Sequence, residues 1–376
     1  MNMKLLVIFL FLTPSLFASY VTRAYGEDPI LADGSGNPAL FLSGPYFMEK
    51  KFDVRINEKA YFFGERIMSF DNPVSLYNSY QIFYFESVSV SCRPLPLLAF
   101  NLSLLPWKSF DYKSEYHFPA GASVYDGVKT LDITGSVRSL QLSAVCHVKD
   151  VFAFGLTGGY LFGSQDIESS ASFEATPGLD WQTAEKITYS GWKLDFHAEA
   201  NPCKSCRIAA FATLPVNLNR VSSPGINDVL LFPPSVGLTA SIRTTKPVSV
   251  ELYVSGLYGF TKDFKVRIAA ADFNYTPYGC HDNFAFLCGM KTVLKAGSAM
   301  IPFRLGYACQ PDFINYFADK NAVFAGCDVP IIQGIGLSLD AEFSKRNWRG
   351  DNTFYEVDKL VDETAFTVKL GLTWSR

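Results

Sequence analysis

The sequence predicts an all-β chain, a transmembrane antiparallel β-barrel of the outer membrane with about 14–16 strands. Three observations predict it: an apolar leader at the N-terminus, a two-residue hydrophobic period that recurs along the chain, and a last strand with one wholly apolar face. Side chains alternate across a strand, so this period sorts residues into two faces.

The leader comes first. Lys4 supplies a basic start, residues 5–12 an apolar run, and residues 13–18 a small-residue exit containing Pro14, which is the layout of a secretory signal peptide. Cleavage is expected after Ala18, with a cut after Gly26 as the alternative. The run is far shorter than the roughly 20 residues of a spanning helix. No later stretch is long and apolar enough to span as a helix. Only helices and closed barrels satisfy every backbone group in hydrocarbon, so an exported membrane chain of this kind must close a sheet.

Composition agrees. Aromatic residues make up 15% of the chain against 18% charged, and charge-rich helical segments are almost absent. The formal net charge of -3 argues against nucleic acid, whose binders need a basic field. Nothing resembling a linker divides the 376 residues, which are assigned as a leader (1–18), an irregular Gly/Asp/Pro-rich segment (19–50) and one barrel (51–376).

Within the barrel each predicted strand has the same construction. Asp53 and Arg55 alternate with Phe52, Val54 and Ile56, and an aromatic cluster at residues 61–68 follows, of the sort that girdles a barrel at the membrane interface. Val88 and Val90 alternate with serines, Leu102 and Leu104 with Asn101 and Ser103, and Leu140 and Leu142 with Ser139, Gln141 and Ser143. Between Phe152 and Phe162 the second face, with Gly155, Thr157 and Gly159, is so small that it predicts space in the middle. Trp192, Leu194 and Phe196 alternate with Lys193, Asp195, His197 and Glu199, four ionisable groups that belong in water. Ile242 precedes Arg243, Val250 and Leu252 flank Glu251, and Leu339 and Ala341 alternate with Asp340 and Glu342. Residues 266–273, 284–294 and 301–307 are less regular. In the last strand Phe366, Val368, Leu370, Leu372 and Trp374 share the face that meets lipid and close the barrel against the first strand. Long polar stretches at residues 107–130, 163–187 and 345–363 read as extracellular loops, opposite short periplasmic turns.

Strand parity makes Asp53, Arg55, Lys193, Asp195, His197, Glu199, Arg243, Glu251, Asp340, Glu342 and Lys369 the pore-lining candidates, with a small excess of acids. A barrel of this strand count encloses an aqueous channel, and charges on its wall are screened within about 8 Å at physiological salt. The sequence therefore predicts passive, weakly selective diffusion of small hydrophilic solutes and ions, with a mild preference for cations.

Three stretches near the ends resemble a known family. Gly36-Asn37-Pro38-Ala39, Phe62-Phe63 followed by Arg66-Ile67, and Leu360-Val361-Asp362-Glu363-Thr364-Ala365 resemble the chlamydial major outer membrane proteins. The early cysteine cluster of that family has no counterpart before Cys92, and Ser375-Arg376 follow the terminal aromatic, which marks a divergent member. The resemblance implies a porin that is also a disulfide-linked structural component of the envelope, homo-oligomeric or cross-linked to envelope proteins. A structural or adhesive protein whose barrel only anchors it in outer-membrane lipid is the alternative.

Eight cysteines in an exported chain meet an oxidising compartment. Cys203 and Cys206, in a polar turn, are the disulfide candidates, and the second such pair that a structural zinc site needs is missing. Cys146 and Cys288 share the lipid-facing parity and read as small apolar residues. No metal, cofactor or enzymatic activity is expected. His197, between Asp195 and Glu199, is the histidine placed most like a catalytic base, and it reads as a solvated wall residue.

Overall fold

A computed structural model describes residues 52–69, 75–110, 112–118, 127–148, 151–173, 180–203, 205–223, 227–244, 249–268, 271–274, 282–296, 299–310, 320–332, 334–350 and 359–375. The leader, the segment expected to be irregular and Cys280 lie outside the described residues.

In chain order the strands are β1 (Phe52–Ser69), β2 (Ser75–Leu95), β3 (Leu98–Ser109), β4 (Tyr112–Phe118), β5 (Gly127–Val148), β6 (Phe152–Phe173) and β7 (Trp181–Cys203). Then come β8 (Cys206–Thr213), β9 (Val216–Ser222), β10 (Asn227–Phe232), β11 (Ser235–Thr244), β12 (Val250–Gly259) and β13 (Lys265–Ile268). The wall ends with β14 (Ala271–Asn274), β15 (Asn283–Ala296), β16 (Ala299–Gln310), β17 (Lys320–Ile332), β18 (Ile335–Gly350) and β19 (Lys359–Ser375). Five staves consist of two segments end to end: β3 with β4, β8 with β9, β10 with β11, β12 with β13, and β14 with β15. Nineteen segments thus make fourteen staves, an even number within the predicted range. Neighbours are antiparallel, and β1 pairs β19 from Asp53 opposite Ser375 to Ser69 opposite Lys359, which closes the barrel. This is the fold of a bacterial outer-membrane protein that crosses the bilayer many times.

An apolar belt encircles the outside. On β6 the outward run from Phe152 to Phe162, at about 3.3 Å per residue and a tilt of about 40°, covers about 25 Å, the height of an outer-membrane belt. On β19, Phe366, Leu370, Leu372 and Trp374 point out as expected, with Val368 half-buried between them. The aromatic cluster expected after the first strand belongs to β1 itself. Its Phe62 faces outward against Phe83 and Phe366, while Tyr61 and Phe63 stack on each other inside.

Strand structure does not stop at the belt. β4 and the upper parts of β5, β6, β7 and β18 occupy much of the stretches that the sequence presents as loops. The physical reason is that alternation continues there in reversed phase. On β5, Leu140 and Leu142 point out, but higher up Leu131, Ile133 and Val137 are buried inside, with Asp132 and Thr134 outside. On β7, Trp192 is 71% exposed on the lipid face, whereas Ile187 and Tyr189 turn inward and Lys186 and Thr188 outward. Ion pairs on that outer surface, Lys186 with Asp166 and Lys113 with Asp132, place it in water. Above the membrane the apolar side chains have only the interior in which to escape water.

Candidate functional site

Four interruptions of the wall assemble the interior site. Proline has no N–H to give to a ladder and is tolerated in sheets at edges and bulges. Pro106 lies at a register shift in β3, Pro215 between β8 and β9, and Pro233-Pro234 between β10 and β11, while the 3-10 turn Thr261–Asp263 separates β12 from β13. Each interruption changes which parity faces inward. Asn101 and Ser103 are buried below the first, Lys108 and Phe110 above it. Likewise Phe211 gives way to Val216 and Leu218, Thr239 and Ser241 to Leu230, and Ser255 to Phe264 and Val266.

These residues form an apolar upper storey along one wall. Phe110, Leu131, Ile133, Val137, Leu161, Ile187, Tyr189, Val216, Leu218, Leu230, Phe264 and Val266 make one buried cluster, with Trp107, Ile167 and Phe232 packed against it. Phe110 stacks on Tyr189 at 5.2 Å, and the Phe232 ring meets Trp107 at 5.0 Å and Phe264 at 4.9 Å. Two polar groups sit among the rings. Lys108 Nζ lies 5.5 Å from the Trp107 ring centre and 5.6 Å from that of Phe232, a cation–π geometry. The Tyr189 hydroxyl donates to Gln165 Oε1 at 2.7 Å. Sequence reasoning missed the cluster because Trp107, Phe110, Ile167 and Ile187 fell in stretches read as loops and most of its other members were assigned to no face of a strand; the surviving signal was the reversed alternation itself.

Below it, at belt height, the inner wall is polar and its charges are paired. Lys193 pairs with Asp195 at 2.9 Å and Arg207 with Glu199 at 2.7 Å. His197 Nε2 lies 3.2 Å from the Thr157 hydroxyl, which donates to Ser143 at 2.8 Å. Asp195 and Glu199 are only 2% and 3% exposed, so this is not the solvated wall that the sequence suggests. Nor is there empty space beside the small face of β6, because the Lys193 side chain passes 3.0 Å from where a Cβ on Gly159 would stand.

On the opposite wall a row of residues runs in register across eight strands: Lys59, Lys369, Asp340, Gly326, Arg304, Lys291, Glu251 and Arg243, each opposite the next. Arg304 grips Asp340 with two hydrogen bonds of 2.6 Å and Asp328 with one of 2.9 Å. Gly326 is required between them, since a Cβ there would overlap the Asp340 carboxylate. Glu342 stands 4.0 Å from Lys320, and Arg346 lies 3.5 Å from Glu363. Asp53 and Arg55 pair with each other at 2.8 Å near the termini. Arg243, exposed, has Nε 3.4 Å from the Ser249 hydroxyl. Lys59, Arg207, Lys291, Arg304, Lys320 and Arg346, with Asp328 and Glu363, are inward charges that the sequence did not single out, and they reverse the small excess of acids. Several lie on the less regular strands, where parity could not be assigned.

The β2–β3 ladder stops part-way up the wall. β2 and β3 pair from Leu95 opposite Leu98 up to Val88 opposite Leu104, and their ladder ends there. Pro106 follows on β3 and has no donor, while β2 passes through a bulge opposite Asn57 and Glu58. Higher up, β2 stays with β1 and β3 with β5. The Phe85 carbonyl on the parted edge accepts a hydrogen bond of 2.8 Å from Arg138 of β5, whose guanidinium lies 5.6 Å over the Phe85 ring. Phe83, 68% exposed, with Phe85, Leu102 and the exposed Glu58 form the outer lip.

No protein-family model matches the chain, and no curated protein matches it in sequence. Solved structures do match. In fold, the chain is similar to the FadL-type transporters. A Pseudomonas aeruginosa FadL homologue superposes with a TM-score of 0.62 at 12% identity, covering 94% of this chain and 96% of that one. The P. putida toluene transporter TodX gives 0.60 at 11% identity, covering 93% and 96%, and the Ralstonia pickettii toluene transporter TbuX 0.57 at 12%, covering 93% and 94%. At such identities the likeness is one of fold. It overturns the resemblance to the chlamydial major outer membrane proteins, which rested on short stretches near the ends, one of them outside the described residues. Among the described residues no group of His, Cys, Asp and Glu could hold a metal ion.

Proposed function

We propose that this barrel is an outer-membrane channel for small hydrophobic molecules, which enter the apolar storey from outside and leave sideways between β2 and β3 into the bilayer. The observation that carries this reading is the buried, aromatic-rich cluster inside the upper part of the barrel, from the top of the belt upward. A pore for hydrophilic solutes has no use for it. An apolar solute gains about 25 cal/mol for each Å² it removes from water, so it partitions into such a lining. The storey beneath gives it no onward path, because separating buried ion pairs costs several kcal/mol. The parted ladder offers lipid instead. Among the barrels of similar fold, TodX and TbuX are toluene transporters and CymD is a monoaromatic hydrocarbon channel, which agrees with flat aromatic solutes.

General diffusion of hydrophilic solutes, expected from inward charges alone, is the rival reading. Burial and mutual pairing of those charges count against it. Uptake of radiolabelled toluene by cells with and without the protein, together with planar-bilayer recording, separates the two. Faster toluene uptake with negligible ion conductance is expected; a large, weakly selective conductance and unchanged toluene uptake would refute the proposal.

A further inference from the structure

We propose that Cys203 and Cys206 form a reversible intrachain disulfide at the periplasmic mouth of the barrel. Register makes them partners. The β7–β8 ladder runs from Asp195 opposite Thr213 to Ala200 opposite Ile208, slips by one residue, and resumes with Cys203 opposite Cys206. Without the slip, Cys206 would face Pro202, the residue in the bulge that cannot donate to the ladder. The Cys203 side chain lies close enough to raise the pKa of the Cys206 thiol.

Residues directly opposite in an antiparallel pair have Cβ atoms about 4.5–5.5 Å apart, and a disulfide needs about 3.5–4.5 Å. A hairpin tip closes that difference with a small movement. Cys203 is exposed and Cys206 half-buried, so an oxidant reaches the pair. Cys92, Cys146, Cys288, Cys309 and Cys327 have no cysteine opposite them in the ladders.

The tip lies at the end of the barrel where β1 begins and β19 ends, the side of short turns that faces the periplasm. Arg243 ties it to β11, its N–H donating to the Ser205 carbonyl at 2.7 Å, and Arg207 beside Cys206 holds Glu199. The bond would therefore fix the bulge that sets the position of a charge at the mouth.

The oxidant is a protein disulfide of the exported compartment. One cysteine thiolate attacks it, forming a mixed disulfide and releasing the first donor thiol. The second cysteine then attacks the sulfur of the first and releases the other donor thiol. Two thiols of this chain lose two electrons and two protons, and the donor disulfide becomes a dithiol. The loop closed is very short, so its effect on the unfolded chain is small, and exposed disulfides of this kind are the readily reduced ones.

The test is differential labelling. Cells are treated with N-ethylmaleimide before lysis, and the outer membranes are then reduced, treated with a heavy-isotope maleimide and mapped by mass spectrometry. Cys203 and Cys206 should carry the heavy label together, and an unreduced digest should hold both in one internally linked peptide. In detergent, dithiothreitol should open the bond and oxidised glutathione restore it, with the folded barrel keeping its gel mobility. In a Cys203→Ser variant that keeps this mobility, Cys206 should take the first label. First label on both cysteines of the unaltered chain, linkage of either to another cysteine, or protection of Cys206 in that variant would each overturn the proposal.

Discussion

The two storeys of β5, β6 and β7 use the same kinds of residue in opposite order. At belt height Leu142, Phe154 and Trp192 stand outside while Ser143, Thr157 and Asp195 stand inside. A few residues further up the same strands, Ile133, Leu161 and Ile187 stand inside while Asp132, Asp166 and Lys186 stand outside. The period of two is common to both, and only the phase differs. Period therefore reports backbone geometry, whereas phase reports which side of the wall faces water.

Placing a charge in the upper storey should break that contrast most severely. Leu161→Asp puts a carboxylate where the side chain is fully buried among apolar neighbours, a change of several kcal/mol. The folded band on unheated gels should lose much of its thermal resistance, and toluene uptake should fall to the level of cells without the protein. Unchanged stability would mean that this storey is not a packed apolar region.

The lower storey makes the opposite prediction. Arg304→Met removes the guanidinium that grips the buried Asp340 with two hydrogen bonds, a loss of about 3–5 kcal/mol, read by urea unfolding in detergent. Arg304→Met with Asp340→Leu should recover most of it. A double variant no better than the single one would show that the pair is not what holds this wall together.

A smaller effect on stability is expected at the parting. Arg138→Ala removes the donor from the Phe85 carbonyl at an exposed site, which should change stability by about 1 kcal/mol or less. Toluene uptake should nevertheless rise several-fold, because the guanidinium no longer bridges the parted edges. An unchanged rate would remove the parting from the route.

The smallest effect concerns the β13–β14 hairpin, which stands above the belt. Hydrogen bonds of 2.6 and 3.2 Å from the Arg267 guanidinium hold the Asp272 carboxyl below the usual carboxylate range. A depressed folded value means that the pair stabilises the hairpin above the ordinary carboxylate pKa of about 3.9 and stops doing so as pH falls through the lowered one. Hydrogen exchange of residues 265–274 should quicken only in that acid window, and Asp272→Asn should abolish the pH dependence.

What the sequence disclosed follows the same division. The belt strands were legible because lipid outside and polar groups inside give a strong contrast, which is why Phe366 to Trp374 and Trp192 to Ala198 could be placed on faces. The upper storey was not, since its reversed phase over segments as short as β10, β13 and β14 looks like the end of a strand. Inward charges on β7 and β18 were found, but Arg304 and Lys291 lie among irregular neighbours, and no sequence pattern announces which carboxylate lies across the ladder. Pro106 was visible throughout; that the β2–β3 ladder ends just before it depends on register, which only the folded barrel supplies.

That proline also bears on energetics of transport. The gap lies beside a backbone nitrogen that carries no hydrogen, a covalent fact that neither a ligand nor an ion gradient can switch. On the proposed route, a passage built this way would perform no work and could not accumulate a solute. Net flow would run only down a concentration difference, and sustained uptake would depend on the cell consuming the solute after it has entered the bilayer.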